Sequence, residues 1–170
     1  MKKIFILFIF ILNFEILHAE NKIAYINIDH ILNNSIAGHS ISNYIRKIEE
    51  KKINEFKLIE KQLSDKEKHI IKKKNIVDKS EFENQVNILK KEIDKYRNSK
   101  KKFQEEINKK KIEYTKIILN TLNPIIAKYV EENSISIVFP KKNIIIAKKN
   151  LDITKPIIDL LNNKLNKIDF

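Results

Sequence analysis

The side chains in this sequence that could do chemistry are few, and their spacing argues against catalysis. The histidines are His18, His30, His39 and His69. No two stand four apart, the spacing that would place a pair of imidazoles on one helix face to hold a metal. One glycine, Gly38, in 170 residues leaves no room for the glycine-rich loops that cradle phosphates. The absence of cysteine removes thiolate ligands, a thiol nucleophile and any disulfide framework. The acidic pairs Glu49-Glu50 and Glu105-Glu106 lie among lysines, where they read as solvated ion partners and not as an acid–base couple. The expectation is therefore no enzyme, no catalytic residue, no cofactor and no metal.

What remains is lysine. Three clusters stand out: Lys72-Lys73-Lys74, Lys100-Lys101-Lys102 and Lys109-Lys110-Lys111. Residues 46–116 hold 23 Lys/Arg against 14 Asp/Glu, so this stretch carries +9 of a net +12. A surface of this kind attracts anions by long-range, salt-sensitive forces, whether acidic protein chains or anionic lipid head groups. The bland alternative is a solvated helix face enlarged by composition, since Lys, Ile and Asn number 32, 35 and 20. With only Arg46 and Arg97 for bidentate recognition, sequence-specific nucleic-acid binding is not expected.

The elements that must carry these lysines follow from apolar spacing. Residues 1–19 pair a basic start with nine unbroken apolar residues (4–12) and end on Ala19. That is the order of a cleavable secretory signal peptide, and the run is too short to span a bilayer. KIAYINI at 22–28 reads as a buried strand, with Asp29 capping a helical turn after it and Gly38 supplying a backbone turn. Over 41–75 apolar residues recur at helical spacing (Ile41, Ile45, Ile48, then Phe56, Ile59, Leu63, Ile70), with a one-residue shift past Ile53. From Phe82 the steps of four and three reach Val86, Leu89, Ile93, Tyr96, Lys100, Phe103, Ile107, Lys110, Tyr114, Ile117 and Thr121. A repeat sustained in this way is a coiled-coil seam. Ser80 with Glu83 reads as the capping box that restarts the helix.

Asn123-Pro124 should end the second helix and open a short new one. Strands are expected around Ile135, Ile137 and Phe139 and again at 144–147, joined by the 140–143 turn. A last helix is expected after Thr154 as N-cap. Strands at both ends of the chain can meet only if the helical middle folds back on itself. The expected class is α+β, mostly α: a long antiparallel coiled-coil hairpin projecting from a small strand-containing head. The divisions are 1–19 signal peptide, 20–40 first part of the head, 41–122 arm with its tip about 72–80, and 123–170 the rest of the head.

This arrangement resembles the Skp (OmpH-like) family of periplasmic chaperones. The likeness rests on the signal peptide, on KIAYINIDHIL at 22–32, and on Ser35-Ile36-Ala37-Gly38 before the long helix. It continues in ISIVFPKKNIIIAKKNLDITKPIIDLLN at 135–162, with its Asp152-Ile153-Thr154. The resemblance implies an ATP-independent holdase in the periplasm that keeps unfolded outer-membrane β-barrel proteins from aggregating. It also implies a homotrimer assembled through the head, for which Ile23, Tyr25, Ile26, Ile28, Ile135, Ile137, Phe139, Ile144 and Ile146 are the candidates. Clients would meet Lys72, Lys73, Lys74, Lys100, Lys101 and Lys102, and Ile70, Ile71, Ile76 and Val77 at the tip. Contact with anionic lipid or lipopolysaccharide is a further expectation. Two rival readings are a structural envelope spacer anchored by an uncleaved N-terminus, and a non-specific nucleic-acid binder suggested by charge alone.

Overall fold

The computed structural model describes residues 22–170; the expected signal peptide lies outside them. Strand β1 (Lys22–Ile26) leads into a short helix α1 (Ile28–Asn34), then the outgoing arm α2 (Ile36–Lys73). After the tip comes the returning arm α3 (Lys79–Glu132), then strand β2 (Ile135–Pro140) and helix α4 (Thr154–Lys164). At 1.5 Å per residue the 38 residues of α2 run about 57 Å and the 54 of α3 about 80 Å. The fold is the expected hairpin on a small strand-containing head.

The head closes by joining distant segments. β1 and β2 pair in parallel, Ile23 with Ile137 and Tyr25 with Phe139. Asp152 bridges the other side of Tyr25. One face of this ribbon, with Ala24, Ile26 and Val138, packs on a core of Ile31, Ile118, Leu122, Ile157 and Leu161. Asp152-Ile153-Thr154 docks here. The Ile153 amide donates to the Tyr25 carbonyl at 3.0 Å, the Asn27 amide donates to the Thr154 hydroxyl at 2.9 Å, and the Thr154 amide donates to the Asp152 carboxylate at 2.9 Å. Thr154 is thus a buried clasp in the first turn of α4 and not its N-cap.

Several local expectations are corrected. The cap of α1 is Asn27, whose side chain accepts from the His30 amide, so Asp29 lies in the first turn instead. Gly38 makes no turn: it sits inside α2, packed so closely that a Cβ would lie 1.7 Å from the Leu32 carbonyl oxygen. α3 starts on Asp78, whose carboxylate accepts from the Glu81 amide at 2.9 Å, which places Ser80 inside the helix. The 144–147 stretch forms no strand. Ile145 and Ile146 stand 102% and 91% exposed, and the stretch pairs with neither β1 nor β2.

Pro124 does not break α3 either. It removes one amide donor and leaves the Asn120 carbonyl without its helical partner. Ile118, Leu122 and Ile125, all buried on the core side, hold the helix through that point. The proline itself is exposed. Pro124→Ala is therefore expected to stabilise the fold, by about 1–3 kcal/mol, read from the thermal midpoint.

Candidate functional site

The arm is held by a broken seam. Phe56 is its aromatic centre, meeting Tyr96 and Phe103 edge-on with centroids 5.7 and 5.9 Å apart. The shift past Ile53 has a cause: Lys52 takes the seam position, its amine 5.4 Å from the Phe56 ring and 2.7 Å from Glu55. Towards the head the seam leaves the heptad after Tyr114. The buried residues become Ile118 and Leu122, whereas Ile117 is exposed and Thr121 only half-buried. A straight helix drifts off a seven-residue repeat in this way.

Charged pairs also cross between the two arms. Lys66 bridges Glu92 at 2.5 Å, Lys100 bridges Glu60 at 3.5 Å and Lys111 bridges Glu49 at 3.0 Å. Between the first two lies a cleft of about 520 Å³ lined by Ile59, Leu63, Lys66, Glu92 and Tyr96. Tyr96 donates its hydroxyl to Glu60, and Lys100 also sits 5.5 Å over the Tyr96 ring. That hydrogen bond, ahead of the nearby lysines, holds the Glu60 carboxyl below its ordinary value of 4.5. A depressed carboxyl contributes its stability above the unfolded-state pKa and loses it as pH falls through the folded one. Protonation of Glu60 in acid therefore removes this contribution. In Tyr96→Phe the Glu60 titration followed by NMR should move back up towards that range.

The lysines expected to meet a partner divide by their surroundings. Among the described residues Lys72, Lys73, Lys74 and Lys102 have no ion pair, while Lys101 faces Glu105 at 4.0 Å and Lys100 is held by Glu60. At the tip Ile76 is 80% and Ile71 61% exposed, but Ile70 is 5% exposed and turned into the hairpin. Val77 is half-buried. The tip thus presents two aliphatic side chains beside three uncommitted ammonium groups.

The head candidates divide too. Ile26 is buried within the chain's own core, Tyr25 is buried on the opposite face of the ribbon beside Phe139, and Ile28, Ile135 and Ile144 are half-buried. Ile23, Ile137 and Phe139 stand exposed on the outer face of the ribbon, with Ile146 on the loop beyond. The far edge of β2 is unpaired among the described residues. His30, His39 and His69 are exposed, and among the described residues no group of three or more His, Cys, Asp or Glu is placed to hold a metal ion. No described helix is long and apolar enough to cross a membrane.

A ribbon of strands from both chain ends, carrying a hairpin of two long helices, is the architecture that the family described as outer membrane protein (OmpH-like) would require, and that family's sequence profile matches residues 22–161. The chain belongs to the OmpH-like family. A crystal structure of a candidate outer membrane chaperone (OmpH-like) from Caulobacter crescentus superposes with a TM-score of 0.77 at 16% identity, over 87% of this chain and 88% of that one. At that identity the likeness is one of fold. A comparison with curated proteins gave no match. Membership in the OmpH-like family supports a chaperone role in general.

Proposed function

We propose that this OmpH-like protein is an ATP-independent periplasmic holdase for unfolded outer-membrane β-barrel proteins. The observation that carries the reading is the interleaving of exposed aliphatic residues and lysines along the arm. Leu58, Ile71, Ile76 and Ile112 are exposed, each within two positions of a lysine, Lys57, Lys72, Lys74 and Lys111 respectively. Single exposed aliphatics are ordinary on a protein surface. Repeated along two arms and set in positive potential, they offer many weak contacts, which hold an unfolded chain by effective concentration without fixing its structure. Exposed β-forming segments of a barrel precursor aggregate, and enclosing them prevents it. Anionic lipid or lipopolysaccharide would meet the same lysines.

Three chains would enclose a client better than one, and the outer face of the ribbon supports assembly through the head. A two-stranded sheet is marginal alone, and this one keeps Ile23, Ile137 and Phe139 uncovered beside an open edge. The number three is taken from the family resemblance. The test is light scattering after a urea-unfolded outer-membrane β-barrel protein is diluted into buffer with the purified chain. Scattering should be suppressed at near-stoichiometric amounts, and unchanged scattering at several-fold excess would overturn the reading.

A further inference from the structure

Residues 165–170 follow α4 without forming helix or strand. Beyond Leu165, whose amide donates to Leu161, they are held by side chains: Ile168 enters the core and Phe170 lies at the root of the arm. There Phe170 stacks on Tyr44 at 4.1 Å and 10° and meets Tyr114 edge-on at 5.2 Å. Tyr44 and Tyr114 are themselves edge to face at 5.8 Å. The walls of this notch belong to the folded structure, since Tyr114 is buried and Tyr44 packs against the core. Its guest is less enclosed: Phe170 is 48% exposed.

The segment also has a pattern. Ile168 and Phe170 point inward, while Lys167 and Asp169 are exposed and pair with each other at 3.2 Å. Alternation of this kind is the side-chain pattern of any extended chain, and a β-barrel polypeptide is rich in such segments with aromatic residues at their ends. We propose that the Tyr44–Tyr114 notch is a receptor for one aromatic side chain of an unfolded β-barrel polypeptide, and that Phe170 occupies it in cis until a client displaces it. The proposal rests on the holdase reading for the identity of the guest. The geometry of the notch stands without it.

A tethered competitor weakens the apparent affinity of a site by the fraction of time it leaves the site open. A half-exposed ring held by two aromatic contacts would keep the notch closed roughly nine-tenths of the time, so its removal should tighten binding on the order of tenfold. The probe is a labelled peptide repeating Lys-Ile-Asp-Phe, with a control in which each Phe is Ala. Phe170→Ala should bind the probe about tenfold more tightly than the parent chain and leave the control unaffected. The chain contains no tryptophan, so F170W installs a unique reporter. Its emission should be blue-shifted in the free protein and move red when the probe, but not the control, is added. Equal or weaker probe binding by F170A, or F170W emission that is red from the start, overturns the proposal. If F170A binds the probe like the parent while both suppress client scattering, the notch inference fails and the holdase reading survives. If the probe displaces the ring but neither chain suppresses scattering, the notch stands and the holdase reading falls.

Discussion

Gly38→Ala is expected to lower the thermal midpoint by roughly 10 °C, a large effect for a single methyl group. Inside a helix this exchange ordinarily stabilises, by up to about 1 kcal/mol. Here the sign reverses. The new Cβ would sit 1.7 Å from the Leu32 carbonyl oxygen, 2.8 Å from its carbon and 3.2 Å from Ser35 Oγ. The nearest of these is backbone, so α1 must move away from α2. That movement breaks the elbow at Ser35, which is fully buried and caps α2 by accepting from the Gly38 amide at 3.1 Å. Overpacking of this kind costs about 3 kcal/mol or more. Ser35→Gly/Gly38→Ala, which frees only the more distant contact, should recover little, because the carbonyl remains. A midpoint unchanged within about 2 °C would show that the elbow yields.

Replacing Lys72, Lys73, Lys74 and Lys102 with glutamine is expected to raise the protein concentration needed to protect a client on the order of tenfold at low ionic strength. These four are exposed or half-exposed without ion pairs among the described residues, so their removal should leave the fold within about 0.5 kcal/mol of the parent. The effect belongs to attraction and therefore to salt. Near 1 M, where the screening length is about 3 Å, parent and variant should converge. Scattering assays across a salt series check both halves. If the two differ by the same factor at every salt concentration, the lysines act by local contact and not by field. The companion change Ile71→Asn with Ile76→Asn should show the opposite profile, a smaller loss that persists in high salt.

The arm was legible because its repeat is long. From Phe82 to Tyr114 the steps of four and three name the residues that pack, and Leu89, Ile107 and Tyr114 are buried. The errors are those of short-range rules overridden by packing. Ile117 and Thr121 continue the arithmetic, but the helix follows its own pitch to Ile118 and Leu122 once the head core takes over from the seam. Pro124 obeys no local rule because three buried neighbours outweigh one lost hydrogen bond. Ser80 and Asp78 are both sound caps, and only the geometry of the tip chooses between them. Ile144, Ile145 and Ile146 have the composition of a strand without a partner to make them one, since a strand is a property of two segments. The Tyr44–Tyr114–Phe170 cluster was invisible, for it joins residues from three elements and depends on how a closing segment turns back. The one hint was the alternation of residues 167–170 past the end of the helical pattern.

The parallel pairing of β1 with β2 sets an order on how this chain can fold. The amide of Asn27 reaches Thr154 across 127 positions, and among the described residues β1 has no strand partner nearer in the chain than β2. A contact that distant is slow to find in a random chain, because the closure entropy comes before any reward. The two arms remove most of that distance. Helices form from neighbouring residues in about a microsecond, and once α2 and α3 zip together the chain ends are carried to the same place. On the proposed export from the N-terminus, β1 emerges before β2 and must wait for it to cross. During that interval its apolar strand is an unpaired edge. Under the proposed holdase function the chain would then be, for a short time, a client of the same kind as those it serves.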